Sequence, residues 1–173
     1  MTDCCPPAGD NKRLTDRMLP PYAHVPGQTP HPVSDPAGHS CGVEEPAARP
    51  LEPSRWRENE EYCYGVDLFN AGFYWEAHEA WERVWIACGR RGEVADFLKG
   101  LIKLAAAAVK RRAGSPEGAV RHARRAGELF GALRERAWGG LSVSALGDTA
   151  VRMEATNDSA LLTPSNDQSA ERS

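Results

Sequence analysis

The sequence has no CxxC pair and no even set of cysteines. Its five, Cys4, Cys5, Cys41, Cys63 and Cys88, suit neither a disulfide framework nor a thiolate zinc site, and they read as free thiols. It lacks an excess of charge of one sign: 21 Lys and Arg stand against 24 Asp and Glu, net −3. That balance gives no global reason to expect nucleic acid or an anionic membrane as a partner. No apolar run approaches transmembrane length, and the start, MTDCCPPAGDNKRL, has no apolar stretch behind a basic one. A cytoplasmic location and no membrane partner are therefore expected. No G-x-S-x-G elbow, P-loop or Rossmann glycine pattern appears. Ser40 beside His39 reads as a turn residue, Cys63 and Cys88 read as buried, inert thiols, and nucleophilic catalysis is not expected.

What is present is unevenly distributed along the chain. At 173 residues, 41% hydrophobic and 26% charged, it holds one ordinary domain with tails. Residues 1–18 are expected to be disordered. From Leu19 to Pro53 prolines recur every few residues, which excludes regular helix or central strand and leaves an extended, proline-rich arm over 19–53. Residues 54–155 read as a helical domain, and 156–173, polar with little to bury, as a disordered carboxyl tail.

Local chemistry places the helices. Ser54 is the expected cap of a first helix to about Asn70, ended by Gly72 in the left-handed region after Ala71. A second runs from about Phe73 to Cys88 and stops at GRRG; so short a connection makes the two an αα-hairpin. The third, about Glu93 to Ala113, carries Phe97, Leu101, Leu104 and Ala108 at helical spacing and should be central. Gly100 inside it costs about 1 kcal/mol relative to alanine, which implies a neighbouring backbone packed close. GSPEGA ends it at Gly114 and restarts a fourth helix, to about Arg136, with Ser115 as cap and Pro116 in the first turn. A fifth covers about Ser144 to Ala155 after the Gly139–Gly140 break. No strand signal competes, so the expected class is all-α, a four- to five-helix bundle.

The second helix carries the stretch FYWEAHEAWERVW. On a helical wheel Tyr74, Ala77, His78, Trp81, Trp85 and Cys88 share one face, Glu82 and Trp75 sit at its edge, and Glu76, Glu79 and Arg83 point away. His78 lies inside the aromatic stripe, where Glu82, one turn on, is the partner in reach.

The run LFNAGFYWEAHEAWERVW followed by FLKGLIKLAAAAVKRRAGSPEGA resembles domain-of-unknown-function family 309, small helical bacterial proteins. The family hallmark is carried by Phe69, Asn70, Gly72, Tyr74, Trp75, Glu76, Ala77, His78, Glu79, Glu82 and Trp85, then Phe97, Gly100, Leu101 and Ile102, then Gly114, Gly118 and Ala119. Lys99 stands where members usually carry glutamine and Ser115 where they often have asparagine, so a role resting on that glutamine does not carry over. The likeness covers roughly residues 60 to 133, and PPYAHVPGQTPHPVSDPAGHS is similar to a segment found ahead of the domain in some members. The resemblance implies a helical fold and assigns no activity.

Three readings follow for the site. In the first, Tyr74, Trp81 and Trp85 pack in the core with His78 and Glu82 as a satisfied polar pair. The chain is then a non-enzymatic cytoplasmic interaction module without a cofactor, its groove formed around Tyr74, Trp75, Glu76, His78, Glu79, Trp81, Glu82 and Trp85, and its partner a protein or a second copy of itself. The alternative is a divalent-metal protein or hydrolase with His78 and Glu82 as ligands. His24, His31 or His39 on the arm, and Glu76 or Glu79, would then complete the shell. The third uses the basic cluster Lys110, Arg111, Arg112, Arg121, His122, Arg124 and Arg125 for phosphates. Glu117 before Arg121 and Glu128 after Arg124 make part of that run an ordinary paired helix face, and no aromatic interleaves it, so nucleic acid is not expected.

Overall fold

The computed structural model describes residues 13–156 and 162–164. Cys4, Cys5, most of the expected disordered start and most of the expected tail lie outside them. The chain is an all-α bundle of five helices among the described residues: α1 (Glu60–Asn70), α2 (Tyr74–Ala87), α3 (Glu93–Arg112), α4 (Pro116–Gly131) and α5 (Val143–Ala155). Each helix packs chiefly on the next in sequence, which puts α3 between α2 and α4. Its fully buried Phe97, Leu98, Leu101, Leu104 and Ala105 form the middle of the core. No described helix is long and apolar enough to cross a membrane.

The first helix begins later than expected, and Ser54 is not its cap. A 3-10 turn, Pro53–Glu58, comes first, and Asn59 then caps α1 by accepting the backbone N–H of Tyr62 at 3.0 Å. The Asn59 amide also donates to the carbonyls of Arg49 and Pro50, so one side chain both starts α1 and ties down the end of the arm. Gly72 has φ of 85°, as the turn between α1 and α2 requires, and its carbonyl accepts from Arg112.

Two further expectations are corrected between α4 and α5. Helix α4 ends at Gly131 rather than near Arg136, and the chain that follows makes a two-strand hairpin, β1 (Ala137–Trp138) with β2 (Leu141–Ser142). Gly139 and Gly140, read as a simple break, are its turn, with φ of 53° and 78°. The hairpin is held from the core: the Tyr62 hydroxyl donates to the Gly139 carbonyl at 2.8 Å, and Trp138 stacks on Phe97. The close neighbour of Gly100 is a ring and not a backbone, because a Cβ there would lie 2.4 Å from Cε1 of Phe130 on α4.

Helix α1 also holds chain from both directions. The buried carboxylate of Asp67 accepts the N–H groups of Leu14 and Thr15 and the Thr15 hydroxyl, at 2.7 to 2.8 Å. Residues 13–18, expected within the disordered start, are therefore docked on α1. Asn70 binds Leu162 in both senses, donating to its carbonyl at 2.8 Å and accepting its N–H at 2.7 Å, while the Leu162 side chain is buried.

Candidate functional site between the arm and helix α2

Helix α2 presents its small and apolar residues, Ala77, Ala80, Trp81 and Val84, to the bundle, all fully buried. Trp81 donates its indole N–H to the Tyr62 carbonyl at 3.2 Å and lies over Gly65, where a Cβ would come within 2.3 Å of it. It belongs to the core and lines no groove. Tyr74 is half-buried between Phe69, at 5.1 Å edge to face, and the Arg112 guanidinium, 4.3 Å over its ring. Trp85 is half-buried, with its indole N–H unpartnered and Arg90 over its ring.

His78 remains partly exposed. Its Nδ1 is 3.3 Å from Glu79 Oε1, and the ligand atoms of His78, Glu79 and Glu82 lie within 4.8 Å of one another. These three could hold a divalent cation on one face of α2. The arm histidines do not join them. They gather one residue pair away, around Glu76.

Glu76 is where the wheel placed a residue facing away, yet its side chain is 5% exposed, because the arm provides α2 with a second packing surface. Its Oε1 accepts the His24 backbone N–H at 2.8 Å and lies 3.1 Å from His39 Nε2. With Glu76 a carboxylate, Nε2 is the nitrogen that carries the proton and donates, which leaves Nδ1 of a neutral His39 to accept the Ser40 hydroxyl at 2.9 Å. Rings brace the arm as well. His24, His31 and Trp75 meet edge to face in all three pairs at 5.2 to 5.3 Å, and Tyr22 stands edge-on to His39 at 4.8 Å. Thr29 closes the His24 turn, its hydroxyl oxygen accepting from the Val25 N–H at 3.0 Å and lying 2.9 Å from His24 Nδ1. Burial, and then the nearby His31, push the His24 imidazole below its ordinary value, against a smaller upward pull from Glu76.

Beside Glu76 opens a cleft of ≈ 240 Å³ between arm and helices. Trp75, Tyr64 and Leu68 give it an apolar wall, Val33 and Val43 of the arm, both exposed, stand at it, and its charges are mixed: Glu45, Glu76 and Glu79 with Arg17 and Arg83. Glu61 fixes the two guanidiniums, accepting from Arg17 at 2.6 Å and also from Arg83. Two residues of this lining each keep one buried polar atom without a partner, Glu76 Oε2 and Arg83 Nε. Buried polar groups are ordinarily satisfied, and these two atoms are themselves closed to solvent.

The basic cluster is largely occupied in holding the bundle. Arg112 serves Gly72 and Tyr74, Arg111 donates to the Met153 carbonyl, Arg124 reaches Glu154 on α5 at 3.5 Å, and Glu128 pairs with Arg125 rather than Arg124. Half-buried His122 is pushed below its ordinary value by burial and then by Lys103, Lys110, Arg121 and His78.

Sequence reasoning had named Trp75, Glu76, Glu79 and His39 but had not brought Arg17, Glu45, Tyr64 or Arg83 to the same place. Nothing local announces them, since they come from four separate segments. The model of the family described as "Domain of unknown function (DUF309)" matches residues 62–122. No curated protein matches the chain.

Proposed function

We propose, on the premise that this chain belongs to the DUF309 family, that it is a non-enzymatic cytoplasmic binding module whose ligand seat is the cleft between the proline-rich arm and α2. The observation that carries this is the cleft itself: Trp75, Tyr64 and Leu68 give it an apolar wall and residues of both charge signs line it, beside the Glu76 carboxylate that clamps the arm. The interaction module expected from sequence moves its seat in this reading, because Trp81 is core and Trp75 lines the cleft. Free thiols, Cys41 exposed among them, suit a reducing compartment. The exposed Val33 and Val43 at the cleft offer apolar contact to a ligand or to a partner that presents one.

The divalent-metal alternative retains His78, Glu79 and Glu82 from a single helix and loses the arm histidines to Glu76 and Trp75. Its test is the metal analysis described in the Discussion. The binding reading is tested by acrylamide quenching of Trp75, with the other four tryptophans replaced by phenylalanine where the fold tolerates it. The probes are butylamine, butanoate and 4-aminobutanoate. Protection of Trp75 by at least one of them, lost in Glu76→Gln, is expected; protection by none overturns the reading.

A further inference from the structure

Part of the basic cluster holds nothing. Among the described residues, no ion pair or side-chain hydrogen bond joins Lys103, Lys110, Arg121 or His122 to another protein group, and Glu117, the acid one turn before Arg121, does not pair with it. These side chains also reach solvent, since the described polar atoms that are both sealed and unpartnered belong to Glu76, Arg83, Trp85 and Trp138. Two contacts set them together. Gly100 meets the Phe130 ring, and at Gly118 a Cβ would stand 3.4 Å from the alkyl carbons of Lys110, so α3 and α4 run antiparallel. Arg121 and His122, about one turn beyond Gly118, therefore lie beside the stretch of α3 between Lys103 and Lys110, which are about two turns apart on one side of that helix. Half-buried His122 registers the result: the charges of Lys103, Lys110, Arg121 and His78 all act on it in the same sense, and no acid offsets them.

We infer that this face of the bundle binds a small diphosphate, its oxygens taken by the ammonium groups of Lys103 and Lys110, the guanidinium of Arg121 and an N–H of His122. The site is distinct from the cleft under the arm. Lysine and arginine side chains donate and never accept, so a ligand that satisfies them offers acceptors only, and three full positive charges call for an oxyanion of like magnitude. Each phosphoryl group brings about −1.5 to −2, so two of them match the three cations. Gathered cations repel one another, and an anion seated among them removes that repulsion. The patch is also short. Farther along α4, Arg124 and Arg125 are paired with Glu154 and Glu128, and on α2 Glu79 and Glu82 stand around His78. A nucleic-acid strand needs cations in a row over many phosphates, whereas a compact anion needs only this cluster.

The test titrates the full chain with inorganic pyrophosphate, ADP, citrate and oligothymidylate in metal-free buffer, by calorimetry and by the ring-proton signals of the histidines, His122 being assigned with His122→Asn. Pyrophosphate is expected to bind at millimolar concentration or below and to displace the His122 signal. Lys103→Gln and Arg121→Gln should each weaken it about fivefold to tenfold. Neither substitution touches the core and both relieve repulsion, so the variants should melt no lower than the wild type. ADP binding as well as pyrophosphate would support a seat for the diphosphate end of a nucleotide; ADP failing where pyrophosphate binds would support one for the free anion. The inference is overturned if pyrophosphate leaves the His122 signal unmoved, or if both variants bind it as tightly as the wild type does. Citrate binding as tightly would reduce the site to charge alone and overturn the diphosphate class. Oligothymidylate that binds through Lys103 and Arg121 and is not displaced by pyrophosphate would replace the compact ligand with a nucleic-acid strand.

Discussion

His39 Nε2 lies 3.1 Å from Glu76 Oε1, both side chains about 95% buried, and this contact fastens the middle of a proline-rich arm to the second helix of the bundle. Removing the carboxylate leaves the His24 N–H and the His39 Nε2–H buried without their acceptor, at about 1–3 kcal/mol each. Here the cost is reduced by what the freed arm regains in disorder. Glu76→Ala is expected to lower stability by about 3 kcal/mol in urea unfolding. Limited proteolysis is expected to cut within residues 22–42 of this variant sooner than in the wild type. Unchanged stability with a protease-resistant arm would show that the rings of His24, His31 and Trp75 hold the arm without the carboxylate.

Gly100→Ala tests the packing of α3 on α4. Helix propensity favours alanine by about 1 kcal/mol. The new methyl, however, would stand 2.4 Å from a ring carbon of buried Phe130, and overpacking of that kind costs about 1–3 kcal/mol. Net destabilisation is expected in thermal melts, and Phe130→Leu in the same chain should recover part of it. If Gly100→Ala is stabilising by itself, the two helices are less closely packed than the structure has them.

His24 and His122 are both pushed below the ordinary value of 6.5, in each case first by burial. For such a group the unfolded chain takes up its proton at a higher pH than the folded one. Its stabilising contribution is therefore fully present above pH 6.5 and is lost as pH falls through the depressed folded value. Stability measured between pH 7.5 and 5 should decline below about 6.5, and His122→Asn should flatten that decline. An increase of stability on acidification over this window contradicts the burial of both imidazoles.

The thiols should separate by reactivity. Cys63 is buried, donates toward the Trp56 carbonyl, and has its pKa raised to about 11, first by burial and then by Asp67. Cys41 is exposed. With iodoacetamide at pH 8, peptide mass spectrometry should find Cys41 modified long before Cys63, since the thiolate is the attacking form. Equal rates would mean that the start of α1 opens readily.

Metal content decides between the two readings of His78. Protein purified without an affinity tag is expected to carry no more zinc, iron or manganese than its His78→Ala variant. Stoichiometric metal that disappears in a folded variant would establish the cluster of His78, Glu79 and Glu82 as a metal site.

Much of the bundle was legible because helix signals are local. Gly72, Gly114 and Pro116 stand where the caps and turns need them, and four of the five helices begin within one residue of where sequence put them. The hairpin at Gly139–Gly140 was missed because two-residue strands have no periodicity to detect; only the glycine pair flanked by Trp138 and Leu141 hinted at it. Asn59 was missed as a cap because the chain before it already turns, so a serine five residues earlier looked equivalent.

By itself the sequence determined that α2 would be a helix and that Trp81 would need burial, since 3.6-residue periodicity and apolar area are properties of the segment alone. It also set the arm apart, because proline at that density forbids helix wherever it is placed. Tertiary structure alone decided that the arm crosses α2 at Glu76, that His39 points inward, and that Arg83, Glu45 and Tyr64 meet there. A wheel assigns one packed face to a helix and treats the rest as solvent. Glu76 became a buried anchor because a distant segment with no periodicity of its own supplied the second face.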